Sequence, residues 1–328
     1  MQIAITGSIA TDHLMTFPGR FADSLVVEQL DKISLSFLVD DLEVRRGGVA
    51  ANIAFGMANL GLRPLLVGAV GSDFDGYRAW LERHGVDCGG VAVSELRHTA
   101  RFICTTDADQ AQIASFYAGA MSEAREIELA PLAARVGSLD LVVIGANDPE
   151  AMLRHTEECR ARGYAFAADP SQQLAFADGP FIRRLVEGAT WLFSNEYEAS
   201  LTEQKTGWSG DDILKRVGTR VTTLGSRGVR IERLGAPVVE VPVAKELRIA
   251  DPTGVGDAFR AGFLAGLSWE LPPRRCAELG SMLATYVIET VGTQEYEIAR
   301  GGFLQRFADA FGAAAAAEVE PHLALVRP

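Results

Sequence analysis

The stretch DPTGVGDAFRAGF, residues 251–263, decides the fold and marks the place where chemistry is expected. Gly254 and Gly256 are followed by Asp257 and then by an apolar run with helical spacing. Helix N-termini leave backbone N–H groups unpaired, and glycines let the backbone approach an anion closely. The stretch therefore predicts a phosphate cradle at a helix start, with a carboxylate that can accept a proton from an attacking hydroxyl. The alternative is that Asp257 only stabilises the first helical turn.

Outward from this stretch, short apolar runs alternate with helical patterns along the chain. The predicted strands are QIAITG (2–7), PLLVGAV (64–70), LDLVVIGA (139–146), YAFAAD (164–169), TWLFS (190–194) and RVTTLG (220–225). The predicted helices are Val49–Leu60, Phe74–His84, Pro149–Arg162 and Gly254–Leu267. Most of the strand runs are apolar throughout, as is typical of parallel strands buried on both faces. The pattern predicts a doubly wound, mainly parallel α/β sheet flanked by helices.

Two segments, 31–46 and 98–119, alternate polar with apolar residues and interrupt the α/β series. This alternation predicts antiparallel strands with one solvated face. We expect a small discontinuous sheet, the lid, at 13–46 and 98–118 within a single domain that covers 1–328. Because a small sheet has open edges that favour association, we also expect a homodimer formed through the lid.

The composition excludes several classes of function. A net charge of −12 over 328 residues argues against a nucleic-acid partner. No apolar run approaches the roughly 20 residues of a membrane span, and the first residues lack the features of a secretory signal. The four cysteines are far apart, which is typical of reduced thiols. We therefore expect a cytoplasmic enzyme with no membrane partner.

Further polar residues follow predicted strands. Ser8 and Asp12 come after the first strand, where ligands usually bind in open α/β sheets, although a loop with a helix-capping Asp fits equally. In GGVAAN, residues 47–52, two glycines precede a helix whose first turns contain Asn52, a residue able to hydrogen-bond a polar ligand. The glycine pair can also be a simple turn.

The stretch FSNEYEA, residues 193–199, places Asn195 and Glu198 three residues apart at a helix start. Such a pair can order water around a magnesium ion, or it can simply cap the helix. TTLGSRGVRIE, residues 222–232, is either an ordinary hairpin or a turn that faces a nucleotide. The chain contains neither GxSxG nor GxxxxGK[ST], which disfavours an elbow-type serine hydrolase and a P-loop enzyme.

Taken together, GGVAAN, NEYE (195–198) and DPTGVGD (251–257) resemble, in the same order, the signatures of the ribokinase (PfkB) family of sugar and nucleoside kinases. Pro252 and Val255 depart from the commonest residues of the last signature. Stretches outside these signatures look like the bacterial adenosine kinases of the family. They are GSIATDHL (7–14), SLSFLVDDL (34–42), HTARF (98–102), QIASFY (112–117), GANDPEAM (145–152) and ADPSQQLA (168–175).

The resemblance implies transfer of the ATP γ-phosphoryl group to the 5′-hydroxyl of adenosine, giving AMP and ADP, a reaction of purine salvage. It implies ATP as donor and Mg²⁺, and it leaves open a monovalent cation such as K⁺ near Asp251. The alternatives are a kinase for another nucleoside or for a sugar such as ribose, and a non-catalytic nucleoside-binding protein. Two phenylalanines and two glutamines argue against a bare sugar, and an intact Asp257 argues against a non-catalytic protein.

Residue by residue, the resemblance implies that Asp257 is the catalytic base. Asp12 and Asn52 would hold the ribose hydroxyls, and Phe102 and Phe116 would enclose the adenine. The substrate-binding residues would be Ser8, Asp12, Ser36, Gly48, Asn52, Phe102, Phe116, Gln172 and Gln173. The ATP-binding residues would be Asn195, Thr223, Gly225, Gly228, Gly254, Val255 and Gly256, of which the last three would form an anion hole. Glu198 would order the waters of the metal.

Overall fold

The computed structural model describes residues 1–24 and 36–326. In this part of the chain the strands are β1 (Ile3–Thr6), β2 (Ala10–Thr16), β3 (Asp41–Gly47), β4 (Leu65–Gly71), β5 (Asp87–Ser94), β6 (Ala100–Thr106), β7 (Gln112–Tyr117), β8 (Leu141–Ile144), β9 (Phe166–Ala168), β10 (Trp191–Asn195), β11 (Thr219–Thr223), β12 (Val229–Glu232) and β13 (Val239–Val241). They form a nine-stranded sheet and a separate four-stranded sheet.

The large sheet has the order β13-β12-β11-β10-β9-β8-β1-β4-β5. All its pairings are parallel except those of β12 with β11 and with β13, which are antiparallel. Each of the six predicted strands lies in this sheet, and β1, β4, β8 and β9 are buried along their whole length. The prediction of a mainly parallel α/β sheet is confirmed.

Helices flank the large sheet and fill the connections between its strands. They are α1 (Phe21–Ser24), α2 (Val49–Asn59), α3 (Asp75–Arg83), α4 (Leu129–Val136), α5 (Pro149–Arg162), α6 (Gly179–Val186), α7 (Glu196–Thr206), α8 (Gly210–Leu214), α9 (Val255–Ser268), α10 (Pro273–Ile288), α11 (Arg300–Phe311) and α12 (Ala313–Val319). The four predicted helices are α2, α3, α5 and α9. Residues 72–74, just before α3, form a short 3₁₀ helix instead.

The four-stranded sheet has the order β3-β2-β6-β7. The prediction of antiparallel pairing is correct for β3 with β2 and for β6 with β7, but β2 and β6 pair in parallel. The reason is topological: β2 follows β1 and β6 follows β5, so both leave the same edge of the large sheet in the same direction. The sheet also begins at Ala10, before the predicted position 13, and part of the predicted segment 31–46 lies outside the described residues.

The carboxyl ends of the parallel strands meet at one edge of the large sheet, and the N-termini of α2 and α9 reach the same edge. This is the usual ligand-binding edge of an open α/β sheet. Within the described ranges, no helix combines the length and the hydropathy needed to cross a membrane. The four cysteines are buried and free.

Candidate active site

The N-terminus of α9 is an open cradle of backbone N–H groups. Gly254 precedes the helix with φ +75°, and a Cβ there would lie 2.7 Å from Cγ2 of Thr293. Glycine is therefore required both by the backbone conformation and by the close approach. No side chain caps this end of the helix. The N–H of Val255 makes one long contact, 3.5 Å, with the carbonyl oxygen of Pro252. The N–H groups at this end and the helix dipole can thus face an anion such as a phosphate.

Asp257 lies in the first turn of α9 and is partly buried. The Nδ2 group of Asn52, on α2, donates a hydrogen bond of 2.9 Å to its Oδ2. Burial raises the pKa of Asp257 to about 7, although the Asn52 hydrogen bond and the charge of Arg260 oppose the rise. A carboxylate with a pKa near the working pH is well suited to act as a general base.

A buried ion pair that the sequence analysis missed lies beneath this carboxylate. Arg260, one turn along α9, forms two hydrogen bonds with Asp169, which follows β9, at 2.6 and 2.7 Å. Both side chains are almost fully buried, and Arg260 also donates to the carbonyl of Gly256 at 3.2 Å. The pair therefore anchors the cradle to the sheet. Its only sequence signal was an arginine on the apolar face of a helix.

Asn195 and Glu198 form a capping box at the start of α7, so the capping interpretation of this pair is correct as geometry. Burial nevertheless raises the pKa of Glu198, which has a 12% exposed side chain and lies 3.9 Å from Arg260. Three carboxyl groups, those of Asp169, Glu198 and Asp257, thus surround one guanidinium group. This excess of negative charge fits a divalent cation.

The donor set narrows the choice of cation. The described residues contain no group of three or more His, Cys, Asp or Glu side chains able to hold a metal ion. Mg²⁺ usually keeps several waters and takes one or two carboxylates together with substrate phosphates. The residues present therefore fit Mg²⁺ held through water. Asp251 accepts hydrogen bonds from the backbone N–H groups of Thr253 and Gly292 and so links two turns.

A cavity of about 550 Å³ extends along this edge. It brings together the predicted ATP-side residues Asn195, Glu198, Thr223, Gly225, Gly228, Gly254, Val255 and Gly256. Asp257, Arg260 and Gln172 line it as well, so the cavity reaches the base. One predicted substrate-side residue, Gln172, thus shares the cavity with the ATP-side residues.

The four-stranded sheet presents a second set of predicted residues. In its register, Asp12 of β2 pairs with Phe102 of β6, and Phe102 pairs with Phe116 of β7. Paired residues point to the same face, so these three side chains form one row. The rings of Phe102 and Phe116 are 36% and 53% exposed, and burial raises the pKa of Asp12 to about 6. The position of Asp12 within a strand excludes the helix-capping interpretation.

The remaining predicted residues are placed less directly. Gly48 has φ +97°, and a Cβ there would lie 2.6 Å from the carbonyl oxygen of Ser8. The glycine pair therefore joins β3, which ends at Gly47, to α2, which Gly48 caps, and does not form a simple turn. The Ser8 hydroxyl accepts from the N–H of Val49, and the Gln173 side chain donates to the carbonyl of Asn147. Ser36 lies in an exposed coil before β3, where the structure records no hydrogen bond to the other predicted residues.

Comparison with known proteins places this geometry in a family. The pfkB family carbohydrate kinase model matches residues 10–299. A nucleoside kinase of Methanothermobacter thermautotrophicus is 31% identical over 269 residues, 81% of this chain and 85% of the relative. The structure of Burkholderia thailandensis nucleoside kinase in complex with inosine is 34% identical, with a TM-score of 0.82 over 94% of this chain and 99% of that one.

The same Burkholderia enzyme in complex with ADP-inosine gives a TM-score of 0.80 at 35% identity, over 94% of this chain and 96% of that one. The three motifs occur in the family's order, their residues meet at one edge of the sheet, and the family model covers most of the chain. The chain therefore belongs to the pfkB family of carbohydrate kinases.

Proposed function

We propose that this protein is a nucleoside kinase that transfers the γ-phosphoryl group of ATP to the 5′-hydroxyl of adenosine, giving AMP and ADP. The observation that carries the proposal is the position of Asp257, in the first turn of an uncapped helix N-terminus, with one oxygen held by Asn52. No other hydrogen bond from the described residues reaches this carboxyl group, so Oδ1 is available to a substrate hydroxyl. Related proteins named as nucleoside kinases support an acceptor of this class.

In the proposed reaction, Asp257 accepts the proton of the nucleoside 5′-hydroxyl while the 5′-oxygen forms a bond to the γ-phosphorus of ATP. The bond from that phosphorus to the β–γ bridging oxygen breaks, and ADP leaves with the electron pair. The N–H groups at Gly254, Val255 and Gly256 stabilise the charge on the transferred group. Mg²⁺ held through waters ordered by Asn195 and Glu198 would neutralise phosphate charge.

Acceptor choice is assigned to the row formed by Asp12, Phe102 and Phe116. Two exposed aromatic rings offer faces for a purine, which a free pentose does not require. Adenosine is the acceptor that the sequence resemblance favours. Inosine is the competing purine nucleoside, because the Burkholderia relative was solved in complex with it.

The opposite face of the four-stranded sheet is proposed as a homodimer interface. Leu42, Val44, Ile113 and Tyr117 lie on this face and are each between 43% and 56% exposed. Pairing two such faces would remove these four apolar side chains from water. A symmetric dimer is the commonest assembly for such a contact.

The test is ADP release with magnesium-ATP against adenosine, inosine, other nucleosides, ribose and fructose. We expect the highest kcat/KM with adenosine. A higher kcat/KM with another nucleoside would support a nucleoside kinase but reject adenosine as its acceptor. A higher kcat/KM with ribose would reject the proposed role of the Phe102 and Phe116 rings in acceptor binding. No ADP release above background with any acceptor would leave a non-catalytic binding protein.

A further inference from the structure

The amide group of Asn52 is oriented by two residues that the sequence analysis did not single out. An ionised Asp257 can only accept hydrogen bonds, so Asn52 must present its Nδ2 group to the carboxylate. Its Oδ1 then accepts from the hydroxyl of Thr293 and from Nε2 of Gln294, each at 2.9 Å. The single hydrogen of the Thr293 hydroxyl is shared between Asn52 and the carbonyl oxygen of Arg46, which lies 3.0 Å from it. If the Asn52 amide turned over, its Nδ2 would face the N–H donor of Gln294 and its Oδ1 would face the carboxylate. Gln294 therefore selects the orientation that serves Asp257, and Thr293 adds to this when its hydroxyl donates to Asn52.

The orientation of Gln294 is fixed in turn by its second contact. Its Nε2 group also donates to the hydroxyl of Tyr77 at 2.5 Å, and Tyr77 donates to the carbonyl of Gly47 at 2.9 Å. Both N–H bonds of the Gln294 amide are thus used as donors. The chain of hydrogen bonds thus runs from Gly47, the last residue of β3, through Tyr77, Gln294 and Asn52 to Asp257.

The burial of Gln294 argues that this side chain is not present for packing alone. Gln294 is 1% exposed, and its Oε1 has no hydrogen-bond partner among the described residues. A buried carbonyl oxygen without a hydrogen-bond partner lowers the stability of the fold. An apolar side chain of similar size would avoid this cost, so the donors of Gln294 must serve another purpose.

We infer that Gln294, together with Thr293, is a positioning residue for phosphoryl transfer, which holds the Asn52 amide so that it donates to Asp257 and keeps that base ionised and fixed. The kinetic part of this inference rests on the proposed function. The charged and titratable groups that face Asp257 are Arg260, Asp169, Glu198 and Tyr296. A substitution at Gln294 leaves all four in place, so a change at Asp257 can be assigned to the amide.

The experiment follows the Asp257 carboxyl carbon by ¹³C NMR during a pH titration of the ligand-free protein, with Asp257→Asn to assign the signal. Gln294→Met keeps the volume but removes both donors. We expect the pKa of Asp257 to rise by about one unit, because a hydrogen bond to the charged form is weakened. On the proposed function, kcat/KM at pH 6 should fall about tenfold, whereas at pH 9 it should fall much less. An Asp257 titration identical to that of the wild type overturns the inference.

A second pair of variants keeps the inference testable if Gln294→Met does not fold. Thr293→Val removes the other donor to Asn52 and should raise the pKa of Asp257. Thr293→Ser keeps the hydroxyl and should leave this pKa at its wild-type value. Thr156→Val is the matched control, because its buried hydroxyl donates to a helix carbonyl of α5, that of Met152. It should lower the melting temperature without moving the Asp257 titration. An equal shift in this control would also overturn the inference.

The titration separates this inference from the proposed function. A protein that phosphorylates no nucleoside, but whose Asp257 titration depends on Gln294 and Thr293, would refute the proposed function and retain the hydrogen-bond chain. An active nucleoside kinase whose Asp257 titration and pH profile are unchanged by substitutions at Gln294 and Thr293 would support the proposed function and refute the hydrogen-bond chain.

Discussion

Asp257→Asn is the sharpest test of the site, because it preserves size and the hydrogen bond from Asn52 while removing the ability to accept a proton. General-base catalysis contributes about 10²–10⁴-fold, so kcat should fall by that factor. The dissociation constants for nucleoside and ATP should change far less, since other residues provide most of the predicted contacts. A steady-state kcat equal to that of the wild type would refute the role of Asp257 as base.

The same substitution makes a stability prediction whose sign follows from the raised pKa. The pKa of Asp257 is about 7 in the folded protein and 3.8 for an ordinary aspartate, so the folded protein binds this proton more tightly than the unfolded chain. The contribution of Asp257 to the free energy of unfolding should therefore decrease as pH rises from about 4 to 7, by at most about 1.4 kcal/mol per pH unit. Because the carboxyl group retains some solvent contact, we expect about 1–3 kcal/mol in total.

Asp257→Asn should therefore have a higher melting temperature than the wild type at pH 8, and the difference should shrink toward pH 4. Thermal unfolding across this range, on the preparation used for kinetics, measures both effects. If Asp257 were only a favourable charge at the helix start, the variant would be less stable at pH 8 and would keep its turnover. That result would reject the catalytic interpretation.

Three further predictions concern the two faces of the four-stranded sheet and the buried ion pair. Phe102→Ala should raise the nucleoside KM about tenfold, with the ATP KM unchanged, because an aromatic stack on a base is worth about 1–3 kcal/mol; equal weakening of both substrates would show that the ring is misplaced. Val44→Asp, on the opposite face of the lid, should give a monomer by light scattering where the wild type is a dimer, and a monomeric wild type at micromolar concentration would remove the interface. Asp169→Asn should lower the free energy of unfolding, measured in urea, by about 3–5 kcal/mol, because Arg260 loses its buried partner. The control is Asp109→Asn, in an exposed pair with Arg20, which should change this free energy by less than about 1 kcal/mol.

The parts of the fold that sequence could predict are those with a local signal. The apolar strands of the large sheet and the glycine turn before α9 have such signals, and the structure contains them at nearly the predicted bounds. The parallel pairing of β2 with β6 has no local signal, since it depends on where β1 and β5 end. Asp12 precedes the predicted start of the lid at 13, yet β3 and β6, which pair with β2, hold it in an extended strand.

The site divides in the same way. Asp257 and the glycines beside it could be predicted because they are adjacent in the sequence. Asp169 pairs with Arg260 across 91 positions, and Gln294 contacts Asn52 across 242. Neither pair has a spacing rule, because only the packing of α9, and of the turn after α10, against the rest of the fold brings the partners together. Residues that orient partners so far away in the sequence can be identified only from a structure.

Three costly features of the described chain coincide at the start of α9, which is a physical argument for function. An ionised carboxylate at Asp257, an unpaired amide oxygen at Gln294 and a buried ion pair between Arg260 and Asp169 each reduce stability relative to an apolar alternative. All three lie within one hydrogen-bonded or electrostatic neighbourhood at the start of α9. Selection for stability alone would remove such features, so their concentration indicates a requirement for charge and direction at this point. Substitutions here should therefore change stability and turnover in opposite directions. Asp257→Asn should raise the melting temperature at pH 8 and lower kcat.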